Sequence, residues 1–476
     1  MTSFEGRELH FIAIGGAGMS GLALVCAQLG ARVSGSDRAE STYLERLRAV
    51  GLDPIVGHDA ANVPAGAEVI VSTAIGADNP ELVHARARGQ REMHRSELLA
   101  ELCALKRLIA VAGAHGKTST AGMVVQMLRG AGADPAFLLG GELPGAGPGG
   151  APANAAWGAG EWIVAEADES DGSFLRLDPE VGVVTNVELD HHSHWRGEGE
   201  LWAAFERFTS GSDGVVAPAG SRFDSLASSG DSVRFALASS REAESADLVA
   251  EPLEPGAAEV RRFALGGPLG AGFESATARL AVPGEHNVAN ALAAIAACEL
   301  ASTRAPLPAR GDLLDALASF PGMSRRLERK GEASGAVIYD DYAHHPTEVA
   351  ASLTALREDL APKRLIAVFQ PHLYSRTKAL ARRFGEALAI ADEVGVLDIY
   401  AARELPEGEL AGVSGRDVAV AAAEFGRGRP VLWLENLATA ARILEPRLGP
   451  GDLLVTIGAG DVFRLADHLV GAEAIG

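Results

Sequence analysis

The sequence predicts an α/β fold with parallel sheets, divided into three domains. Short apolar runs alternate with helical segments along the chain, which is the pattern of strand–helix–strand units. This pattern starts anew three times, and a length of 476 residues suggests about three domains at roughly 150 residues each. Apolar residues make up 47% of the chain, enough to fill several cores. We therefore expect three domains, at residues 1–106, 107–321 and 322–476.

The first block opens with an apolar strand at His10–Ile14, followed by a glycine turn, a helix and a strand at Arg32–Asp37. Residues 16–21 read GAGMSG, a pattern whose glycines permit a tight turn and close approach to a diphosphate at a helix N-terminus. Asp37 ends the second strand, where an acid that binds a ribose would sit. Because a lone GxGxxG is a weak signal, a diphosphate ligand, a nicotinamide dinucleotide and simple strand–helix packing all remain open.

Residues 11–31 carry no charge, which could indicate a membrane span or a signal peptide. The stretch contains five glycines, however, and Glu5 and Glu8 precede it where a signal peptide would carry positive charge. We interpret it as a strand, a turn and a helix.

The charge balance restricts the possible partners. The chain has 63 acidic and 42 basic residues, a net charge of −21, which argues against binding to nucleic acid or to an anionic membrane surface. Anionic ligands must then be held locally, by glycine loops, helix N-termini and metal ions. The three cysteines, Cys26, Cys103 and Cys298, are far apart and form no disulfide or zinc pattern, so we expect a reducing cytoplasmic setting.

The second block opens with a strand at Leu108–Ala112, then a second glycine turn and a helix to about Arg129. The turn, residues 113–119, reads GAHGKTS. Its backbone N–H groups would cradle phosphates, Lys117 would neutralise β/γ oxygens and the Thr118 hydroxyl would reach Mg²⁺. The spacing departs from GxxxxGK[ST], and the alternative is a glycine turn with a surface lysine.

Acidic clusters follow two further strands, predicted at Trp162–Glu166 and Val181–Thr185. The carboxyl ends of parallel strands share one edge of the sheet with the phosphate loop. Hard cations prefer carboxylate and phosphate oxygens, and an imidazole such as His191 can complete the shell. Glu166 ends an apolar strand and needs a positive partner, whereas residues 168–171 could equally be a solvated loop.

The rest of the central block carries weaker signals. Residues 140–160 are rich in Gly, Pro and Ala, which predicts a mobile loop, and residues 219–279 predict a variable, partly β segment. Asn287 and Asn290 begin an Ala-rich helix on one face, with amides suited either to a base edge or to a cap and polar surface.

In the third block, polar side chains again follow predicted strands. The strands are at Val337–Tyr339, Leu365–Phe369, Glu393–Leu397 and Leu453–Ile457. The sequences DDYAHHPTE, FQPHLYSRT and GAGD follow the first, second and fourth of them. We expect this edge and the nucleotide-binding edge to form a cleft that closes on substrates.

Taken together, these motifs resemble the Mur ligases, the ATP-dependent amide-bond-forming enzymes of peptidoglycan synthesis. The matching stretches are IGGAGMSG (14–21), GSD (35–37), VAGAHGKTST (111–120), EADESDGSFL (166–175), VVTNVELDHH (183–192), PGEHNVANALAA (283–294), DDYAHHPTEV (340–349), FQPHLYSRT (369–377), LDIYAAREL (397–405) and GAGD (458–461). The resemblance covers essentially the whole chain. It implies a Rossmann-like N-terminal domain that binds a UDP-sugar, a central P-loop-type ATPase domain and a Rossmann-like C-terminal domain that binds an amino acid.

The resemblance also implies an activity, which is to join L-alanine to the lactyl carboxylate of UDP-N-acetylmuramate through an acyl phosphate. ATP and two Mg²⁺ ions would be required, in a cytoplasmic enzyme that is a monomer or weak homodimer, without nucleic-acid binding or membrane insertion. A relative that attaches a preformed tripeptide typically has Phe where Tyr342 lies, so Tyr342 favours alanine. A nicotinamide-dependent oxidoreductase would leave residues 113–118 unexplained. A sensor without catalysis would not need Lys117, Thr118, Glu166 and His191.

Carried over residue by residue, the resemblance implies four sets of site residues. The ATP set is Gly113, Ala114, His115, Gly116, Lys117, Thr118, Ser119, Asn287, Asn290, Arg326 and Asp341. The UDP-sugar set is Gly15, Gly16, Ala17, Gly18, Met19, Ser20, Asp37, Ser72, His94 and Arg95. The amino-acid set is His344, His345, His372 and Arg376, and the metal set is Thr118, Glu166 and His191. The expected catalytic residues are Lys117, Glu166, His191, His345 and Arg376.

Three departures from the family pattern bear on these sets. Ala114 replaces a common Thr, with little expected effect because the backbone forms the cradle. Leu373 replaces an Arg found in many relatives, which shifts the amino-acid contact to Arg376. Several relatives complete the second metal site with a carbamylated lysine, but this chain has no lysine between Lys117 and Lys330. We therefore expect Glu166, His191, substrate oxygens and waters to hold that ion.

Overall fold

The computed structural model describes residues 4–189, 195–227, 230–253, 261–270, 272, 277–402 and 404–475. The chain divides into two compact units. The first comprises Met1–Leu253, Arg262–Arg279 and Ala289–Phe320, and the second comprises Glu254–Arg261, Leu280–Val288 and Pro321–Gly476. The first unit contains two sheets and the second contains one.

The N-terminal sheet has five parallel strands in the order β3-β2-β1-β4-β5. Its elements are β1 (Glu8–Ile12), α1 (Ala17–Gln28), β2 (Arg32–Asp37), α2 (Thr42–Ala49), β3 (Ile55–Val56), β4 (Glu68–Val71), α3 (Pro80–Ala87), β5 (Glu92–His94) and α4 (Arg95–Cys103). Four of the five residues of the central strand β1 are buried, as expected for a strand covered on both faces. Ser41, the residue before α2, caps this helix, because its hydroxyl accepts the Leu44 N–H.

The central sheet has ten strands in the order β15-β14-β13-β12-β11-β10-β6-β9-β7-β8. Its elements are β6 (Arg107–Ala112), α5 (Lys117–Gly130), β7 (Ala136–Leu143), β8 (Ala153–Ala156), β9 (Trp162–Glu166), β10 (Val181–Val184), α6 (Glu198–Ser210), β11 (Gly214–Pro218), β12 (Asp231–Leu237), β13 (Leu248–Pro252), β14 (Arg261–Gly266), α7 (Gly267–Gly270), β15 (Thr277–Leu280), α8 (Glu285–Ser302) and α9 (Arg310–Ala318). Strands β13 to β7 are parallel, whereas β14 pairs antiparallel with β13 and β8 with β7. The mostly parallel sheet predicted for this domain is confirmed.

One segment of the central domain differs from its prediction. Residues 140–160 were expected to form a mobile loop, but they include the end of β7 and all of β8. Helix α1 packs on this edge: a Cβ atom at Gly21 would lie 3.1 Å from Ala155 Cβ, and the Asn154 amide donates to Ala17 O at 2.6 Å. The segment is ordered because a helix from the N-terminal domain covers it, and the local sequence does not show that contact.

The third sheet has six strands in the order β16-β17-β21-β18-β19-β20, with only β16 antiparallel to its neighbour. Its elements are β16 (Glu328–Ala333), β17 (Ala336–Asp341), α10 (Pro346–Leu360), β18 (Arg364–Phe369), α11 (Tyr374–Leu388), β19 (Glu393–Leu397), α12 (Gly415–Phe425), β20 (Val431–Leu434), α13 (Leu437–Leu444), β21 (Asp452–Ile457) and α14 (Phe463–Leu469). One apolar cluster joins α10, α11 and α12 to the sheet, and another joins α13 and α14. The sheet is therefore covered by helices on both faces, as in Rossmann-like folds.

Two further expectations concern the uncharged segment and the cysteines. Residues 11–31 form the end of β1, a turn and α1, as predicted. Among the described residues, no helix is both long and apolar enough to cross a membrane. The three cysteines are buried free thiols, and burial raises the pKa of each to about 12.

Candidate active site

The first glycine turn joins β1 to α1 at the carboxyl edge of the N-terminal sheet. The Gly15 N–H donates to Asp37 Oδ2 at 2.9 Å, and a Cβ atom at Gly15 would lie 2.9 Å from that oxygen. Asp37 therefore braces the turn from the end of the neighbouring strand. A Cβ atom at Gly18 would lie 3.2 Å from Arg95 Nη1, which places this guanidinium beside the helix N-terminus.

The other residues of the predicted UDP-sugar set lie in two different environments. Ser72 follows β4 and His94 ends β5, so both lie at the same edge as the glycine turn. Burial lowers the pKa of His94, and its Nε2 is buried with no hydrogen-bond partner in the described part of the chain. That nitrogen is free to bind a ligand. Met19, by contrast, is buried in the core, and the Ser20 hydroxyl is engaged by Ala17 O and the Asn154 amide.

The second glycine turn joins β6 to α5 in the central domain. Gly113 has φ +136° and Gly116 has φ +80°, conformations that L side chains rarely adopt. Space is also restricted, because a Cβ atom at Gly116 would lie 2.4 Å from Asn290 Oδ1 on α8. Both the backbone angles and the contacts thus require glycine at these two positions.

Lys117, the first residue of α5, is held within this turn. Its Nζ donates to Gly113 O at 2.6 Å and pairs with Glu169 Oε2 at 2.7 Å. Both side chains are largely buried, at 17% and 3% exposure. Burial alone would lower the pKa of Lys117, but the carboxylates of Glu169 and Asp168 more than offset it and raise that pKa. The ammonium is therefore charged, as a phosphate-binding lysine must be.

Thr118 and Glu166 place oxygen atoms beside Lys117. The Thr118 hydroxyl donates to Glu166 Oε2 at 3.1 Å, and the Gly140 N–H donates to Oε1 at 2.6 Å. Glu169 Oε1 is buried without a hydrogen-bond partner among the described residues. Mg²⁺ prefers oxygen ligands of this kind. The donor set, the glycine cradle and the charged lysine therefore fit a nucleotide phosphate with Mg²⁺.

Arg95 connects the two glycine turns. Its Nη2 donates to Asp168 Oδ2 at 3.0 Å and lies 3.8 Å from Asp171, while its Nη1 lies beside Gly18. Burial opposes ionisation of Asp168, but Lys117 and Arg95 lower its pKa to about 2. The Asp168 carboxylate therefore interacts with Lys117 of the second turn and with Arg95 beside the first turn. The two predicted phosphate sites thus lie close together in the first unit.

The two asparagines of α8 differ in their contacts. Asn290 faces the second glycine turn at Gly116. The Asn287 amide donates to the carbonyl of Pro283, two residues before the start of the helix, at 2.7 Å. Both side chains are buried. His191 lies outside the described residues.

In the second unit, Asp341 and two arginines lie at the carboxyl end of β17. Asp341 is buried and accepts the Leu327 and Ala343 N–H groups, each at 2.7 Å, and burial raises its pKa to about 6. The Asp341 carboxylate therefore stabilises the backbone at Leu327 and Ala343. Arg326 lies over the Tyr342 ring at 5.2 Å, so its head group is held at this edge.

The predicted amino-acid residues gather at the same edge. His345 is the buried cap of α10, and the His344 ring lies 6.3 Å from that of His372. The His372 ring stacks on Tyr400 with centroids 5.8 Å apart. The Leu373 N–H donates to Tyr400 O, and Leu373 has φ +69°, a conformation that is strained for a non-glycine residue.

A cavity of about 510 Å³ lies beside Tyr400, within the second unit. Gln370, Tyr400 and Asp461 line it, and Gln370 Nε2 donates to Asp461 Oδ1 at 2.7 Å. The loops after β18, β19, β20 and β21 surround it, which is where open α/β sheets bind ligands. Its size is in the range of small-molecule sites.

The sequence motifs did not identify every residue of the site. Glu169 was part of a charge run that could have been a solvated loop, yet it is the buried partner of Lys117. Thr185 was predicted only as the last residue of a strand and Asn186 only as the first residue of the acidic cluster after it, yet both contact the second glycine turn. Their position at the end of a strand beside β6 was the available signal.

Two glycine turns at strand ends, one with a buried lysine and oxygen ligands, define an α/β protein that binds nucleotides. The chain matches, in order, the Mur ligase family catalytic domain over residues 8–107, the Mur ligase middle domain over residues 111–298 and the Mur ligase glutamate ligase domain over residues 325–460. With the full-length relatives described next, these matches show that the chain belongs to the Mur ligase family, an ATP-dependent, amide-bond-forming group.

Relatives match over nearly the whole chain. The UDP-N-acetylmuramate–L-alanine ligase of Kineococcus radiotolerans is 46% identical, covering 97% of this chain and 95% of that protein. The enzyme of the same name from Renibacterium salmoninarum is 42% identical, covering 98% and 96%. The structure of UDP-N-acetylmuramate-alanine ligase MurC from Thermotoga maritima has a TM-score of 0.81 at 27% identity, covering 97% and 98%. The murein peptide ligase of Psychrobacter arcticus, at 24% identity and a TM-score of 0.71, shares the fold over 99% and 100%. These likenesses confirm the predicted three-domain α/β fold.

Proposed function

We propose that this chain joins L-alanine to the lactyl carboxylate of UDP-N-acetylmuramate at the expense of ATP, in the synthesis of peptidoglycan precursors. The observation that carries the proposal is the pair of glycine turns linked by Arg95 and Asp168. Phosphoryl transfer from a nucleotide to a carboxylate requires two anionic substrates side by side. The relatives of 42–46% identity named for this reaction support the choice of substrates.

The second glycine turn is the proposed ATP site. Lys117 would leave its contact with Gly113 O to neutralise the β- and γ-phosphates, while Glu169 remains at its side. Asn287 and Asn290 would bind on the adenine side, and Arg326 would add positive charge at the phosphates. Transfer of the γ-phosphate turns the substrate carboxylate into an acyl phosphate and leaves ADP. The amine of L-alanine then attacks the acyl carbon, and inorganic phosphate leaves as the amide bond forms. Most of the catalysis is positioning and charge neutralisation.

The proposed metal ligands are Thr118, Glu166 and His191. When bound, Mg²⁺ would neutralise phosphate charge and bring the γ-phosphate toward the substrate carboxylate. The Thr118 hydroxyl oxygen and Glu166 Oε2 lie 3.1 Å apart, and the Gly140 N–H fixes the orientation of the Glu166 carboxylate. We propose two ions. Because the chain has no lysine between Lys117 and Lys330, its activity should not depend on added bicarbonate.

The first glycine turn is the proposed site of the UDP diphosphate. Helix α1 presents its N-terminus there, and helix N-termini favour anions. Arg95 beside Gly18 would add a positive charge, and the unpartnered Nε2 of His94 would accept or donate one hydrogen bond. The turn carries no lysine of its own, and this arginine supplies a cation from another element.

His344, His345, His372 and Arg376 are the proposed amino-acid residues. Arg376 lies in the first turn of α11, and its guanidinium would pair with the alanine carboxylate. Charge-assisted pairs of this kind are the strong ones. A small pocket gains only about 1–3 kcal/mol per methylene, so discrimination against glycine and serine should be modest.

The test measures phosphate release with UDP-N-acetylmuramate and ATP while each amino acid is varied. We expect L-alanine to give the highest kcat/KM. Arg376→Ala should raise the KM for alanine at least tenfold and leave the KM for ATP within about twofold. Arg382→Ala is the matched control, because Arg382 lies on the same helix and pairs with Glu424 at the surface. Equal effects of Arg376→Ala on both KM values would contradict the assignment of Arg376, and saturable binding of NAD or NADP would favour an oxidoreductase.

A further inference from the structure

Two residues that follow strand β10 hold the second glycine turn from the side. Strand β10 runs parallel to β6, with Val184 opposite Ala112. The residues that follow the two strands therefore face each other at the edge of the sheet. The Asn186 amide contacts the main chain of His115 twice: Oδ1 accepts the His115 N–H at 3.0 Å, and Nδ2 donates to His115 O at 2.8 Å.

Thr185 reinforces this contact. Its hydroxyl donates to the same carbonyl, His115 O, at 2.6 Å, and its N–H donates to Ala112 O at 3.0 Å. The packing leaves no free space, because a Cβ atom at Gly113 would lie 2.1 Å from Thr185 Oγ1. The hydrogen bonds from these two side chains satisfy the main-chain N–H and C=O of His115, as the backbone of a neighbouring strand would.

His115 lies between the two positive-φ glycines of the turn, Gly113 and Gly116. Glycine makes the turn possible, but it also gives the backbone many alternative conformations. A turn that binds phosphate through its N–H groups must therefore be fixed by other residues, because conformational freedom lost on binding reduces affinity.

We propose that Asn186 is a positioning residue for the nucleotide. It holds the turn in the conformation that binds phosphates, it is supported by Thr185, and neither side chain needs to touch the nucleotide. The proposal rests on the assignment of the second glycine turn as the ATP site. It predicts that the loss of these bonds weakens nucleotide binding more than it weakens the fold, because buried apolar residues such as Val183 and Val184 anchor β10.

The experiment measures the affinity of the full-length protein for ADP and for a non-hydrolysable ATP analogue with Mg²⁺, by calorimetry, for four variants. Asn186→Ala removes two hydrogen bonds and should weaken binding about tenfold or more. Thr185→Val removes the hydroxyl and should weaken binding about threefold, whereas Thr185→Ser keeps it and should match the wild type. Gln126→Ala, which removes an amide farther along α5 that bonds Ser319, is the matched control and should also match the wild type.

Kinetics and stability distinguish positioning from a general loss of structure. The KM for ATP should rise in Asn186→Ala while the KM for UDP-N-acetylmuramate stays within twofold, and the melting temperature without ligand should change little. Wild-type affinity in both Asn186→Ala and Thr185→Val would overturn the inference and leave the ATP assignment intact. If Asn186→Ala does not fold, equal affinities of Thr185→Val and Thr185→Ser would overturn it. A wild-type protein that binds no nucleotide would overturn both the inference and the proposed function.

Discussion

The two glycine turns of the first unit share one local plan, a buried strand followed by a turn and a helix, but they use glycine differently. After the first turn, Gly21 lies within α1, has an ordinary backbone conformation and lets the helix approach Ala155 on β8. In the second turn, Gly113 and Gly116 have positive φ values that the path of the loop requires. Glycine therefore serves packing and access in the first turn, and backbone conformation in the second.

The charges around the two turns differ as well. Asp37 accepts an N–H group of the first turn, and the cation beside Gly18, Arg95, comes from another strand–helix junction. The second turn contains its own cation, Lys117, which is paired with the buried Glu169. The two turns have similar sequence patterns but different charges. The first turn relies on a cation from another element to bind an anionic ligand, whereas the second contains the lysine that would neutralise the phosphates. This comparison can be tested by changing charge, conformation and pH in turn.

The largest effect is expected from the lysine. Lys117→Ala should lower kcat by about 10³-fold or more, because a preorganised charge at the transferring phosphoryl group contributes several kcal/mol. It should also cost about 2 kcal/mol of stability, since Glu169 would be left buried and unpaired. Phosphate release and chemical unfolding measure the two effects.

A double variant separates these effects. Lys117→Ala with Glu169→Gln removes the unpaired charge and should recover most of the lost stability but no activity. Near wild-type phosphate release by either folded variant would show that the second turn is not the ATP site. The first turn has no lysine, so no equivalent variant can be made within it.

The second effect concerns backbone conformation. Gly116→Ala places a Cβ atom 2.4 Å from Asn290 Oδ1 in a left-handed conformation, so the turn must shift, and nucleotide affinity should fall at least tenfold. Gly89→Ala is the matched control: Gly89 has φ +65° and open space around it, so only the backbone strain of about 1 kcal/mol remains. Gly18→Ala meets only the end of the Arg95 side chain and should leave the affinity for ADP and the ATP analogue unchanged. Equal losses of nucleotide affinity in all three variants would contradict the difference between the turns.

The parts of this site that follow from local sequence were predictable. Apolar runs mark β6, β9 and β10, and the parallel arrangement brings their carboxyl ends to one edge, so Lys117, Thr118 and Glu166 were expected to meet there. They do meet: Thr118 bonds Glu166, and Lys117 lies beside them. The placement of His191 and the roles of the amino-acid set stay predictions.

The parts that depend on distant contacts were not predictable. Glu169 lies in a charged run typical of a solvated loop, and it is buried because residues far along the chain cover it, including Trp195, whose indole N–H bonds its carbonyl oxygen. The sequence around strand β8 is rich in Gly, Pro and Ala, and pairing with β7 and packing against α1 hold β8 in the sheet. In both cases the deciding energy comes from tertiary packing, which overrides local propensity.

The smallest effect is expected at low pH, where protonation of a buried carboxylate should weaken the packing that supports the first turn. Ser36, the neighbour of Asp37 on β2, donates to the buried Glu81 at 2.6 Å, and Asn62 donates to it at 2.7 Å. Burial alone would raise the pKa of Glu81, but the His10 ring, 3.5 Å away, and hydrogen bonds from Ser36 and Asn62 lower it from 4.5 to about 2. A carboxyl group whose pKa is lower in the folded state stabilises the fold above its unfolded pKa.

That stabilisation should be present above about pH 4.5 and be lost as the pH falls toward 2, in total about 2–3 kcal/mol. Glu81→Gln keeps the shape but removes the charge, so it should be less stable than wild type at pH 7, by about 5 °C in melting temperature. The gap should close as the pH falls to about 2. Glu92→Gln, at a surface pair with Arg86, is the control and should change the melting temperature little at either pH. A gap between wild type and Glu81→Gln that stays constant from pH 7 to pH 2 would show that the charge of Glu81 does not support the first turn, and hydrogen exchange at β1 and β2 would show whether the loss is local to that sheet.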